Sequence, residues 1–236
     1  SRAWEAMRAA GGYCDLEMDL GTGKRASRQR DVGALLQKVS GAEAGLVINN
    51  CASTILLSLA ALAGHRPTAI SRGHLIEIGG GFRLPTIMEA SGSPLCEVGT
   101  TNRTHLKDYR EALDKSAGLV LLVHRSNFVI EGYVTEPSAQ EIIACAREYD
   151  VSVVLDLGSG AIEDPGEHGL PCEDTVAQAV KQGFDAVCFS ADKLLGGPQA
   201  GVIVGRATII EKLKKHPLAR ALRCDKVQLA GVCATL

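Results

Sequence analysis

Short, nearly continuous apolar runs alternate along this chain with stretches in which apolar residues recur at every third or fourth position. The runs predict strands buried on both faces, and the periodic stretches predict amphipathic helices. Residues 45–50 read as a strand entering a polar turn, and residues 52–63 as a helix rich in Ala and Leu. Leu35, Leu36 and Val39 place a helix over 34–39. Short strands follow at 68–71 and 94–98, then a helix at 108–113. Residues 119–124 are the most continuous apolar strand, 139–149 a helix, and 151–155, 185–189 and 201–205 further strands. An apolar helix over 226–236 completes the pattern. Repeated αβ alternation predicts an α/β fold with a mostly parallel sheet and helices on both faces. No repeat, low-complexity segment or linker interrupts it, so residues 1–236 are expected to form one large domain.

Composition narrows this picture. With 236 residues, 46% of them hydrophobic, the chain can bury a sizeable core. A formal net charge of −2 excludes a broadly basic platform for nucleic acid. The eight cysteines are scattered, with no Cys-x-x-Cys pair, which points to free thiols in a reducing compartment rather than disulfides or a zinc site. No apolar run is long enough to span a bilayer, and no basic-then-apolar leader pattern is visible. The expectation is a cytoplasmic protein with no bound metal and no membrane contact.

Two strand ends bring in chemistry. Residues 185–189 run directly into Ser190-Ala191-Asp192-Lys193 and a glycine-rich turn that ends at Gly201. A lysine held at a strand end, beside a hydroxyl and backbone that can approach a ligand closely, suits a pyridoxal phosphate enzyme, whose cofactor aldehyde condenses with such an amine. An exposed loop lysine fits this run equally well. Residues 151–155 lead into Asp156-Leu157-Gly158-Ser159-Gly160. A buried carboxylate there would keep the cofactor's ring nitrogen protonated; an acidic cap on the next segment is the alternative. One helix fits between the two strands, so parallel pairing would deliver Asp156 and Lys193 to the same sheet edge, where open α/β folds bind ligands. Asn49, Asn50 and Cys51 stand between a strand and a helix start, whose free N–H groups favour an anion such as the cofactor phosphate. Ordinary helix capping also accounts for the asparagines. Ser190 offers a further hydroxyl donor. His124 ends the strongest strand, at a position suited to the cofactor ring or substrate, or to a structural role.

With these motifs in hand, the sequence resembles the bacterial selenocysteine synthase family, the L-seryl-tRNA(Sec) selenium transferases, which are fold-type-I pyridoxal phosphate enzymes. The resemblance runs nearly end to end. It rests on Ser71-Arg72-Gly73, Glu77-Ile78-Gly79-Gly80 with Phe82-Arg83, and Glu97-Val98-Gly99-Thr100-Thr101-Asn102-Arg103-Thr104. It continues through Val123-His124-Arg125-Ser126-Asn127, Asp156-Leu157-Gly158-Ser159-Gly160 and Asp192-Lys193-Leu194-Leu195-Gly196-Gly197-Pro198-Gln199-Ala200-Gly201. It closes with Pro217-Leu218-Ala219-Arg220-Ala221-Leu222-Arg223 and Asp225-Lys226. The order and number of these motifs, rather than any one, make the signal specific.

The resemblance implies a fold-type-I large domain that binds pyridoxal 5'-phosphate. The family also carries a small N-terminal domain linked to tRNA binding and a C-terminal small domain, so a fragment or shortened chain is expected. It implies conversion of L-seryl-tRNA(Sec) to selenocysteinyl-tRNA(Sec) with selenophosphate, by β-elimination of the seryl hydroxyl and addition of selenium. Lys193 and Asp156 are carried over as catalytic, Lys193 also as a base for the α-proton, and Asp192 as a further catalytic-site residue. Cys51 stands where the family shows a third asparagine, so a backbone contact to the phosphate is expected there and an amide side-chain contact is not. Ala191 replaces a family glycine. His74 occupies a position where the family more often shows glutamate. Its imidazole is expected either to stack on the cofactor ring or to be hydrogen-bonded in its loop. Arg25 and Arg28 resemble an Arg-Gly-x-Arg element with Ala26 for glycine, and Arg220 and Arg223 are expected on one helical face. Matching arginines in the family are linked to selenophosphate, whose oxyanion suits guanidinium forks; surface salt bridging is the ordinary alternative. Sites of this fold type are usually completed across a dimer, and the family assembles into larger rings, so a homo-oligomer is expected. Two other readings are a tRNA-independent pyridoxal phosphate lyase for a small amino acid or amino sugar acid, and a noncatalytic subunit. Lys193 and Asp156 speak against the second.

Overall fold

Seven of the apolar runs become strands of one sheet in the computed structural model, which describes residues 1–171 and 173–236. They are β1 (Ala44–Ile48), β2 (Thr68–Ser71), β3 (Leu95–Val98), β4 (Leu119–Val123), β5 (Ser152–Gly158), β6 (Ala186–Ser190) and β7 (Gly201–Gly205). Their order across the sheet is β3-β2-β4-β5-β6-β7-β1. The strands from β3 to β6 in that order pair in parallel, as expected. Only β7 runs antiparallel to its neighbours, β6 and β1. The turn between β6 and β7 is too short for a crossover, so the chain folds back as a hairpin. Ala191 N–H donates to the Ala200 carbonyl at 2.9 Å and Gly197 N–H to the Ala191 carbonyl at 2.7 Å, which closes the loop that carries Lys193.

The helices are α1 (Arg2–Ala10), α2 (Arg30–Ser40), α3 (Cys51–Ser58), α4 (Leu84–Ala90), α5 (Leu106–Asp114), α6 (Ala139–Glu148), α7 (Val176–Gln182), α8 (Ala207–Lys215), α9 (Pro217–Ala221) and α10 (Lys226–Thr235). Alternate residues along a strand point to opposite faces, and both faces are apolar here. Val153, Leu155 and Leu157 of β5 enter a core shared with α2, α5, α6, α7 and α10. Val154 enters the other core, with α3, α4 and α8. Local chemistry sets the helix ends. Ser138 and Glu141 form a reciprocal cap on α6, as Asp225 and Gln228 do on α10. Helix α3 runs on through a wider turn, Leu59–Ala63, and stops at Gly64 in the left-handed region. No helix among the described residues is long and apolar enough to cross a membrane.

One expectation changes, and one helix has no counterpart in the sequence pattern. Helix α9 ends at Ala221, and Arg223 instead forms a β-bridge with Ile48. Arg220 and Arg223 therefore do not share a helical face, because the chain turns between them. Helix α1 lies in a stretch with no readable unit, since it has no fully buried residue. It packs on α10, where Met7 stands against Gly231.

Candidate active site

The C-terminal ends of β4, β5 and β6 open into a cleft of about 460 Å³ lined by His124, Asp156, Gly158, Ser190, Asp192 and Lys193, with Asn50, Cys51 and Ala52 from the start of α3. This is the edge at which parallel α/β sheets bind ligands. A bulge prepares it. The register of β5 against β6 shifts from Asp156 opposite Cys188 to Gly158 opposite Phe189. Such an extra residue re-aims the side chains around it. Gly158 follows with a φ of +70°. A Cβ built on Gly158 would stand 3.9 Å from both Asp156 Oδ1 and Lys193 Nζ, so the carboxylate and the amine converge over its bare backbone. The Lys193 loop is tied to the end of β5 by Leu194 N–H, which donates to the Ser159 carbonyl at 3.2 Å.

Asp156 is buried, and its side-chain partner among the described residues is the Cys51 thiol, 3.7 Å from Oδ1. Burial pushes its pKa up to about 6; the Cys51 contact, the Lys193 charge and the Gly158 N–H only partly oppose this. Burial, and next the Asp156 carboxylate, push the Cys51 thiol well above its ordinary range, so it remains a neutral donor. Cys51 thus turns its side chain to Asp156 and leaves its backbone to any phosphate. Asn50 caps α3, its Oδ1 accepting from Ser53 N–H at 2.8 Å and its carbonyl accepting from Thr54 N–H at 3.2 Å. Among the described residues, the N–H groups of Cys51 and Ala52 keep no protein acceptor. Ser190 is buried beside them.

His124 donates its backbone N–H to the Asp156 carbonyl at 2.9 Å, while its Nδ1 is buried with no partner among the described residues. The far wall is largely apolar, with Ile76, Ile78 and Phe82. Two expected cofactor contacts fall outside the cleft. Asn49 is exposed at the end of β1, donating its N–H to the Leu222 carbonyl at 2.9 Å and accepting from Gln228 at 3.4 Å. His74 does not stack over the cleft: it is buried, with Nε2 2.5 Å from Glu136 Oε1. The hydrogen-bonded alternative is the one observed.

The four arginines come together, but elsewhere. Arg25, Arg28, Arg220 and Arg223 line a separate cavity of about 300 Å³ with Lys214 and Glu17. Glu17 pairs with Arg28 and, at 2.8 Å, with Arg25, and their hydrogen bonds hold its pKa down to about 2. Arg28 also donates to the Cys224 carbonyl at 3.2 Å. Among the described residues Arg220 and Arg223 form no ion pair. None of the residues lining this cavity also lines the Lys193 cleft. Sequence reasoning missed Lys214 and Glu136, because each reaches its place through contacts between distant segments; Glu17 and Gln199 are near in sequence to Arg25 and Lys193, but no motif marks either side chain.

The cleft residues fit pyridoxal phosphate. A desolvated carboxylate with no cation bonded to it calls for a positive partner such as a pyridinium. The free amides of the first turn of α3 and the Ser190 hydroxyl suit a phosphate. The unpartnered His124 Nδ1 remains for a polar group of the ligand, and Lys193 is placed to meet an aldehyde.

A family model described as L-seryl-tRNA selenium transferase matches residues 2–236. The curated L-seryl-tRNA(Sec) selenium transferase of Geobacter sulfurreducens is 52% identical over 225 residues, which are 95% of this chain and 49% of that protein. The chain spans about half the length of the curated relatives it matches. Among solved structures, D-glucosaminate-6-phosphate ammonia-lyase matches with a TM-score of 0.78 over 99% of this chain and 61% of its own, at 19% identity. A pyridoxal-5'-phosphate-dependent protein, YhfS from Escherichia coli, matches with a TM-score of 0.64 over 99% of this chain and 61% of its own, at 17% identity. At such identities the likeness is one of fold, and that fold is the fold-type-I pyridoxal phosphate architecture.

Proposed function

The chain belongs to the L-seryl-tRNA selenium transferase family, and from that membership we propose that it binds pyridoxal phosphate at Lys193 and serves conversion of L-seryl-tRNA(Sec) to selenocysteinyl-tRNA(Sec) with selenophosphate. The observation that carries this reading is the convergence of Lys193 Nζ and the buried Asp156 carboxylate over Gly158. When bound, the cofactor would supply an electron sink for bond changes at the seryl α- and β-carbons. Asp156 would hold the proton on the ring nitrogen. The Cys51 and Ala52 amides and Ser190 would bind the phosphate, and Lys193, once released by substrate, would take the α-proton. Asp192, which is exposed and lines the cleft beside Lys193, would meet the incoming substrate.

Arg220 and Arg223, with Arg25 and Arg28, are the proposed selenophosphate site, supported by the cluster of cations around one carboxylate. That cavity is separate from the Lys193 cleft, which supports a homo-oligomer in which one copy's arginines serve another copy's cleft. Exposed Val129 and Tyr133, on the loop that follows His124, are further apolar surface for such contact. The seven described cysteines are all free, which supports a reducing, cytoplasmic setting. The lyase reading rests on likeness of fold alone.

The test begins with the cofactor. Incubation with pyridoxal phosphate, borohydride reduction and peptide mapping should give an adduct on Lys193, absent from Lys193→Ala. An adduct on another lysine sinks the assignment. Seryl-tRNA(Sec) with selenophosphate is then assayed beside small amino acids as substrates, and turnover of a small amino acid without selenium incorporation would support the lyase.

A further inference from the structure

Glu136 lies outside the Lys193 cleft, yet it is joined to it by a short chain of contacts. Its side chain is only 25% exposed, although it sits in a surface loop before α6. One oxygen, Oε1, is 2.5 Å from His74 Nε2, and the other, Oε2, is 3.0 Å from Arg125 Nη2. On its far side His74 Nδ1 accepts the N–H of Val123, the last residue of β4, at 3.4 Å. An imidazole whose Nδ1 accepts must carry its proton on Nε2, so His74 donates to Glu136. Glu136 is correspondingly held below the usual carboxylate range, chiefly by that hydrogen bond.

Three consecutive residues are anchored in this way. Val123 is held by His74, His124 by the Asp156 carbonyl at 2.9 Å, and Arg125 by Glu136. The middle one places a buried, unpartnered Nδ1 at the cleft. Two of the three anchors depend on one carboxylate. We propose that Glu136 is a positioning residue for the cofactor cleft, acting through His74 and Arg125 to fix His124 against the bound ligand. The inference rests on the pyridoxal phosphate reading. It touches neither Lys193 nor Asp156 directly.

The experiment is a double-mutant cycle with pyridoxal phosphate as the probe, read by the dissociation constant and the absorbance band of the bound cofactor, with thermal melting alongside. Glu136→Ala and His124→Ala should each weaken binding about tenfold, a change of roughly 1.4 kcal/mol. Each should shift the band in the same direction. The double variant should bind no more weakly than His124→Ala alone, because residues that act as one unit are not additive. Should Glu136→Ala fail to fold, Glu136→Gln and Arg125→Gln take its place. The first keeps an acceptor for His74 and should give a smaller loss than the second combined with His74→Ala. Additive losses, or a lower melting temperature with unchanged affinity and band, overturn the inference. Wild type and Lys193→Ala are run in parallel: no borohydride-stable adduct in wild type is failure of the cofactor reading itself.

Discussion

At the scale of the residue, Asp156 carries a pH dependence with a definite sign. Its folded pKa is raised from 3.8 to about 6, because burial penalises the charge. Between those values the folded chain keeps a proton that the unfolded chain has lost. Its contribution to stability is therefore present at low pH, falls as pH rises through that window, and is level above it. The loss is roughly 3 kcal/mol at 1.36 kcal/mol per unit. Asp156→Asn removes the slope, so without cofactor the variant should gain on wild type by that amount between pH 4 and 7, measured by urea unfolding. An unchanged gap would show that the carboxylate is not desolvated. With pyridoxal phosphate present the order should reverse, since the amide cannot offer an anion to the ring nitrogen. Asp156 and Lys193 were legible in sequence because each ends an apolar run, and the run fixes where it goes. His74 was not. Its partner Glu136 comes from a loop two strands further along the chain, and no local pattern announces a hydrogen-bonded pair of that kind.

The element scale shows why the start of α3 is placed so closely. Gly201 opens β7 directly beneath it. A Cβ there would lie 2.1 Å from the Asn50 carbonyl oxygen and 2.6 Å from Thr54 Cγ2. These are first-turn atoms of α3, so relief requires moving the helix start away from the sheet. Gly201→Ala should destabilise the fold by about 2–3 kcal/mol through overpacking. It should also weaken pyridoxal phosphate binding, because the Cys51 and Ala52 amides move with that turn. Gly12→Ala, whose added Cβ meets only the Ala9 carbonyl at an ordinary 3.6 Å, is the matched control and should stay within about 0.5 kcal/mol of wild type. Denaturant midpoints for both variants decide the matter. Strands of one apolar character were readable to within a residue or two, as at 186–190 and 201–205. The reversal of β7 does not show in periodicity, because strand direction follows from the length of the connecting loop, which here is too short for a crossover. Helix α1 escaped for a different reason: a helix that buries no residue fully has little pattern to read.

For the whole molecule, the arginines pose a question of assembly. Arg25 and Arg28 share the single charge of Glu17, whereas Arg220 and Arg223 form no ion pair among the described residues. Charge-assisted contacts are worth roughly 1.5–3 kcal/mol each. Arg220→Ala or Arg223→Ala should therefore weaken binding of an oxyanion such as inorganic phosphate by about ten- to a hundredfold. In the proposed reaction, loss of the seryl hydroxyl would draw on the Lys193 cleft and not on the arginine cavity, so it should suffer less than selenium incorporation when the two are measured separately. The resemblance supplied the residues of this cluster, but not its separation from the Lys193 cleft, which only the folded chain displays. If one copy's arginines serve another copy's lysine, two inactive variants should repair each other. A dimer of Lys193→Ala with Arg220→Ala/Arg223→Ala holds one site with both defects and one with neither. Half of the dimers formed by random pairing of equal amounts are mixed, and each has one intact site out of two, so roughly a quarter of wild-type selenium incorporation should return. No recovery, with mixed oligomers verified by differential tags, would mean that the arginines act within their own copy or bind something other than the selenium donor.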